Sequence, residues 1–167
     1  MRGIKRVEAE KDVSKRERLP ISPSILMQLK QAWSPSGHTH NTKMIWVACS
    51  LHFFAFLRVG EMTVPTGQAF DKSAHLSIKD IAVDDAKNPS MIQIHIKQSK
   101  TDPFQRGVDL FIDRTGAALC PVAAMLDYLH IRGVSPGPLF KFDDGRPLTR
   151  QPFVELLEEW KTLLSKF

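Results

Sequence analysis

The sequence predicts an α+β fold, a mostly helical body with a three-stranded antiparallel sheet inserted at one side. Three observations support this prediction. Apolar residues recur at helical spacing near both ends of the 167-residue chain. Apolar and polar residues alternate in its middle, as they do in half-buried strands. Eleven prolines and nine glycines favour a loop-rich mixed fold over a long helical bundle.

Two helices are predicted in the first third of the chain. Ser22 can cap the first helix and Pro23 suits its first turn. Its apolar stripe consists of Ile25, Leu26, Leu29 and Trp33. The second helix is predicted over 44–57, which is apolar on all sides and should therefore cross the middle of the domain. It is shorter than the roughly 20 residues that span a membrane.

The middle of the chain predicts three short antiparallel strands, the last two forming a hairpin. Residues 75–85 alternate with a phase slip at Lys79 and Asp80, which indicates a strand with a bulge or bend. Residues 91–98 alternate cleanly, and 108–113 alternate again after the turn-forming segment 99–107. One face of the middle strand carries Ile92, Ile94 and Ile96; the other carries Gln93, His95 and Lys97.

Two further helices are predicted after the sheet. Pro121 suits the start of one and Gly133 its end. Thr149 can cap the other, whose apolar stripe consists of Phe153, Leu156, Leu157, Trp160 and Leu164. That last helix runs to the end of the sequence without a stop signal, so the chain is expected to be a piece of a longer fold.

Several classes of protein are disfavoured by the composition. Cys49 and Cys120 lie in apolar stretches and are expected to be reduced thiols of an intracellular protein, not a disulfide. The charged N-terminus does not predict a signal peptide. His38 and His40 share a loop without a nearby Cys, Asp or Glu, so no metal site is predicted.

The charge favours an acidic partner, of which nucleic acid is the commonest. The net charge is +5 and the isoelectric point is about 9.4. Residues 1–18 hold seven basic residues against four acidic ones, and two interpretations remain open for them. They are either a solvated leader or frayed helix, or a linker that follows DNA.

Arg58 ends an apolar run, and Glu61 follows three residues later. An unpaired guanidinium at the end of a buried helix would be strongly destabilising. Glu61 could form a simple ion pair with it. Alternatively, Glu61 orients a guanidinium whose free edge holds a phosphate through two hydrogen bonds. The spacing alone does not separate these roles.

Lys100 lies at the tip of the predicted hairpin, between Lys97 and Arg106. The segment 97–106 holds these three basic residues and one acid, Asp102. The pattern by itself favours an ordinary charged turn. The functional alternative is a lysine that the hairpin delivers to DNA and that can give up a proton.

Four stretches, taken in order, resemble the catalytic domain of tyrosine recombinases, the phage-integrase-type enzymes, and most of all those of eukaryotic retrotransposon-type elements. They are FFAFLRVGEMTVP, IHIKQSKTDPFQRGVDLFI, LCPVAAMLDYL and PGPLFKFDDGRPLTR. The resemblance implies that residues 1–18 are the tail of a missing core-binding domain. It implies that 19–167 form a partial catalytic domain.

That resemblance implies a chemistry for the candidate residues. These enzymes break and rejoin double-stranded DNA through a tyrosine, with no metal, other cofactor or small-molecule substrate. Arg58 would hold the scissile phosphate, Glu61 would support Arg58, and Lys100 would protonate the departing 5′-oxygen. Lys97 and Arg106 would contact the DNA.

Two parts of the family's machinery have no counterpart in the sequence, the His-x-x-Arg motif and the nucleophilic tyrosine. Tyr128, the single tyrosine, falls among apolar residues in the middle of a helix and is predicted to be core. The expected function is that of a DNA-binding fragment, inactive in cleavage alone, of a nuclear recombinase that could form a homo-oligomer on DNA. Two alternatives are a domesticated, non-catalytic DNA-binding or interaction module and a fragment without a selected function.

Overall fold

The computed structural model describes residues 21–33, 37, 39–99, 104 and 106–164. It confirms the α+β class, with 42% of the residues in helices and 16% in strands. In chain order the elements are α1 (Pro23–Trp33), α2 (His40–Phe54), α3 (Val59–Met62), β1 (Ile81–Val83), β2 (Met91–Ile96), β3 (Val108–Asp113), α4 (Pro121–Arg132) and α5 (Arg150–Leu164).

The helix α2 packs against α4 in the middle of the core. Met44, Val47 and Leu51 are completely buried, as the sequence predicts for a central helix. However, α2 ends at Phe54 instead of residue 57. Phe56 has a φ of 53°, a left-handed backbone conformation that interrupts the helix, and its side chain is exposed.

The sheet has the predicted antiparallel order, β1-β2-β3. The face of β2 that carries Ile92, Ile94 and Ile96 is buried, as its alternation predicts. The prediction of one bulged strand over 75–85 was wrong. Residues 78–80 form a 3-10 turn, because Asp80 accepts hydrogen bonds from the backbone N–H and the hydroxyl of Ser77, and only 81–83 pair with β2.

The two C-terminal helices lie where the sequence predicts them. Pro121 begins α4, and Gly133 follows its last residue with a φ of 71°, a conformation that glycine adopts without strain. α5 begins at Arg150, directly after the predicted cap Thr149. In the part of the chain that the structure describes, no helix has the length and apolar character needed to cross a membrane.

Tyr128 is a core residue, as predicted. It belongs to α4, and its side chain is completely buried. The hydroxyl donates a hydrogen bond to the Leu139 carbonyl at 3.0 Å and accepts one from the Lys141 N–H at 3.2 Å. Burial raises the pKa of Tyr128, and hydrogen bonds only partly offset that effect.

Candidate nucleic-acid interface

Arg58 lies in the break between α2 and α3, not inside a buried helix. Its backbone is extended, with φ −72° and ψ 149°, and it caps the N-terminus of α3. Its side chain is 55% exposed. The expected burial of this arginine was therefore wrong, because the left-handed Phe56 ends α2 first. An exposed guanidinium does not require a full set of protein partners.

Glu61 holds Arg58 through both the main chain and the side chain. Its Oε2 accepts the Arg58 backbone N–H at 2.8 Å, and its Oε1 accepts Nη1 of Arg58 at 3.0 Å. Burial raises the pKa of Glu61, but hydrogen bonds from Arg58 and Ser99 outweigh burial and leave the pKa below its usual value. Glu61 is therefore an ionised, fixed support for Arg58, an ion pair that both interpretations of the spacing allow.

Ser99 connects the root of the β2–β3 hairpin to this pair. Its hydroxyl donates to Glu61 Oε1 at 2.7 Å and accepts from Arg58 Nη1 at 3.1 Å. The sequence analysis gave Ser99 no role. In the sequence, Ser99 is distinguished only by its position three residues after the end of β2 and next to Lys100. That position could not reveal a partner 41 residues away.

The guanidinium of Arg58 keeps one edge for a ligand. Nη1 of Arg58 donates to both Glu61 and Ser99. Within the described ranges of the chain, Nε and Nη2 of Arg58 have no hydrogen-bond partner. Because the guanidinium is planar, the N–H groups of Nε and Nη2 lie side by side, in the geometry that binds two oxygens of a phosphate.

The ammonium of Lys97 is occupied by the protein. It donates to the carbonyls of Lys72 at 2.8 Å and His75 at 2.9 Å, and to Asp80 Oδ2 at 2.5 Å. These three acceptors match the three N–H groups of an ammonium. The side chain is 18% exposed. This geometry gives Lys97 a structural role, so a direct DNA contact by Lys97 stays a prediction without support from its surroundings.

The remaining predicted DNA contacts lie on the hairpin. Arg106 is exposed, and its guanidinium carbon is 5.3 Å from the ring centre of Phe104, a cation–π distance. Lys100 lies outside the described residues, and so do residues 1–18. Their predicted roles therefore derive from the sequence alone.

Arg58, Glu61 and Ser99 form a hydrogen-bonded cluster at the root of a hairpin, in which the Arg58 guanidinium is the exposed member. Among the residues described, no group of three or more His, Cys, Asp or Glu side chains could hold a metal ion. No protein-family model, curated protein or solved structure matches the chain.

Proposed function

We propose that this chain is the DNA-binding part of a site-specific tyrosine recombinase and that Arg58 binds a backbone phosphate of duplex DNA. The observation that carries the proposal is an exposed guanidinium that Glu61 and Ser99 fix at Nη1, while its Nε and Nη2 edge has no hydrogen-bond partner among the residues that the structure describes. A phosphodiester presents two non-bridging oxygens to such an edge. Because its supports are fixed, Arg58 loses little rotamer freedom on binding.

The same arrangement supports a role in the chemistry of phosphoryl transfer. Ser99 ties the hairpin root to Arg58, and Lys100 is the next residue of the chain. If a nucleophile outside this chain attacked the phosphorus and displaced the 5′-oxygen, Lys100 would protonate that departing oxygen and Arg58 would stabilise the negative charge on the phosphorane. Arg106 is an additional contact to the DNA backbone.

The described residues are not proposed to supply the nucleophile. The hydroxyl of Tyr128 is buried and hydrogen-bonded to the Leu139 carbonyl, and burial keeps its pKa raised. A phosphate at Arg58 would lie on the surface, whereas Tyr128 lies in the core. The proposed function is therefore binding and charge stabilisation without attack on the DNA.

Duplex binding as a function of salt tests the proposal. Fluorescence anisotropy with a labelled duplex should give an affinity that falls as salt rises. Arg58→Ala should weaken binding by about tenfold or more and reduce the magnitude of the log–log salt slope by about 0.9, the loss of one phosphate contact. Arg146→Ala is the matched control, because Arg146 is also exposed and paired with an acid, Asp144, at 2.7 Å. Equal effects of the two substitutions would contradict the proposal.

A nicked suicide duplex tests the absence of a nucleophile. Such a duplex traps the covalent intermediate of a tyrosine recombinase, because the released DNA end diffuses away. We expect no covalent adduct with this chain. An adduct that maps to Tyr128 by mass spectrometry would contradict the assignment of that residue to the core.

The second candidate is a domesticated module that binds DNA or another partner without orienting a phosphate for chemistry. The observation that favours it is the inaccessible hydroxyl of Tyr128. A module that needs only positive charge should tolerate Arg58→Lys and should bind DNA more tightly after Glu61→Gln. A site that orients a phosphate should weaken in both variants, because lysine lacks the planar fork and glutamine does not fix Arg58 as an ion pair.

A further inference from the structure

The root of the β2–β3 hairpin is fixed at two points, Lys97 and Ser99. Lys97 binds the segment before β1, through the carbonyls of Lys72 and His75 and the carboxylate of Asp80. Ser99 binds the carboxylate of Glu61 at 2.7 Å. The two contacts are made by nearly adjacent residues, so the position of one constrains the position of the other.

The first of these points is a partly buried ion pair. The side chain of Lys97 is 18% exposed and that of Asp80 is 10% exposed. The Asp80 oxygen that binds Lys97 also accepts the backbone N–H and the hydroxyl of Ser77, each at 2.7 Å. A charge pair with this degree of burial and hydrogen bonding is held more firmly than a surface pair.

Lys97 and Glu61, the carboxylate that Ser99 binds, line the same cavity. A cavity of about 120 Å³ is lined by Gly60 and Glu61 on one side and by His75 and Lys97 on the other. The Lys97 ammonium and the Glu61 carboxylate therefore belong to elements that meet around a single small void.

We propose that Lys97 is a positioning residue: its ion pair with Asp80 holds the end of β2 so that Ser99 remains on Glu61 and the Arg58 guanidinium keeps its orientation. The effect of Lys97 on DNA binding rests on the proposed function of Arg58. Its effect on the contact between Ser99 and Glu61 does not. Lys97 acts on DNA through Ser99 and Arg58, without touching a phosphate.

The sign of the Asp80→Asn effect separates this role from a direct contact. If Lys97 bound DNA itself, removing the negative charge of Asp80 would release the ammonium and strengthen binding. If Lys97 positions Ser99, Asp80→Asn loosens the same structure as Lys97→Met and weakens binding. The two explanations therefore predict opposite changes for one nearly isosteric substitution.

The DNA experiment measures affinity and salt slope for Lys97→Met and Asp80→Asn. Lys87→Met is the matched control, since Lys87 is an exposed lysine outside this cluster. We expect both test variants to bind DNA more weakly. Their loss of affinity should not exceed that of Arg58→Ala, which is about tenfold. The log–log salt slope should decrease in magnitude no more for Lys97→Met than for Lys87→Met. Tighter binding by Asp80→Asn, or an additional loss of about 0.9 in the slope for Lys97→Met, would overturn the proposal.

A second measurement needs no DNA. Carboxyl-carbon NMR should show the pKa of Glu61 rising toward its usual value in Ser99→Ala, since the Ser99 hydroxyl stabilises the ionised carboxylate. Asp80→Asn should raise it as well. A purely electrostatic effect of Asp80→Asn would lower it, because the variant carries one negative charge fewer. In Lys97→Arg, which can keep the ion pair with Asp80, the pKa of Glu61 should stay at its wild-type value.

The two measurements fail separately. If Asp80→Asn raises the pKa of Glu61 but Arg58→Ala leaves DNA binding unchanged, the positioning role stands and the proposed function is wrong. If Arg58→Ala weakens DNA binding but neither Asp80→Asn nor Lys97→Met alters the titration of Glu61, the proposed function stands and the positioning role is wrong. Asp80→Asn decides the outcome alone if Lys97→Met does not fold.

Discussion

Arg132 and Arg58 both lie at or just beyond the C-terminal ends of core helices, and their surroundings are opposite. Arg132 is the last residue of α4 and is only 4% exposed. Its Nε donates to the Leu139 carbonyl at 2.8 Å, Nη1 to the carbonyls of Gly133 and Ser135, and Nη2 to that of Pro138. Arg58 is mostly exposed, and its guanidinium bonds to the described residues through Nη1 alone.

The difference shows how one side chain can serve two purposes. Arg132 is surrounded by backbone carbonyls, so it closes the loop after α4 and has no edge for a ligand. Burial lowers the pKa of Arg132, which is the electrostatic cost of placing a cation in the interior. Arg58 is held from one side by an ionised carboxylate, and that leaves its other edge available. Both residues are arginines, so the number and the kind of their partners distinguish the structural arginine from the proposed binding one.

Replacement of Arg132 should have the largest effect on stability. Arg132→Met would leave the carbonyls of the α4–α5 loop without their donor in the interior, and we expect a loss of about 3 kcal/mol or more in the free energy of unfolding. Urea denaturation followed by circular dichroism measures it. Arg146→Ala should change the same free energy by less than about 0.5 kcal/mol, since that pair is on the surface. Similar losses in both variants would remove the distinction between a buried and an exposed arginine.

Tyr128→Phe should have the next largest effect, because the Tyr128 hydroxyl shares the Leu139 carbonyl with Arg132. Deleting the hydroxyl should lower the free energy of unfolding by about 1–2 kcal/mol. A double-mutant cycle with Arg132→Met should show non-additive losses, since both side chains serve one acceptor. Additive losses would mean that the two donors act independently.

Alkaline pH should sharpen the same comparison. The folded pKa of Tyr128 is raised by burial above its usual value of 10, so the contribution of the neutral phenol is complete below that pH. It is lost as the pH rises from 10 through the raised folded pKa. Thermal unfolding should therefore show an alkaline decline for the wild type that is smaller in Tyr128→Phe. An equal decline in both would assign it to other groups.

Glu61→Gln should have a smaller effect, on the Arg58 side of the comparison. Glu61 caps α3 and binds Arg58 and Ser99, so we expect a loss of about 1 kcal/mol near neutral pH. The folded pKa of Glu61 is lowered, so its stabilisation is present above its usual value of 4.5 and disappears as the pH falls through the folded pKa. Urea denaturation at neutral and acidic pH should show wild type and variant converging in acid.

Arg58→Ala should change stability least. Its ion pair with Glu61 is largely exposed on the arginine side, and such pairs contribute about 0–1 kcal/mol. The difference between the losses in the free energy of unfolding of Arg58→Ala and Arg132→Met, both measured by urea denaturation, should be the largest between any two of these variants. A loss for Arg58→Ala as large as that for Arg132→Met would mean that Arg58 is a structural residue and would weaken the proposed function.

Much of the fold is predictable because its signals are local. Alternation along β2 identifies its buried face, and Pro121 and Gly133 delimit α4. The end of α2 was predicted too late. The apolar run continues beyond Phe54, where the helix ends, and the left-handed backbone of Phe56 is not visible in that run. The short β1 was misjudged for a similar reason, since side-chain contacts of Asp80 and Ser77 turn part of the alternating stretch into a 3-10 turn.

The sequence by itself determined the class of the fold, the order of its four longer helices and three strands, and the proximity of Glu61 to Arg58, since each depends on residues close together along the chain. Only the tertiary structure decided which cations are engaged. Lys97 and Arg58 are equivalent as basic residues in the sequence. The ammonium of Lys97 is enclosed by the segment 72–80, whereas one edge of the Arg58 guanidinium has no partner in the part of the chain that the structure describes. Their partners come from chain segments brought together by packing of the core, so no local pattern encodes them.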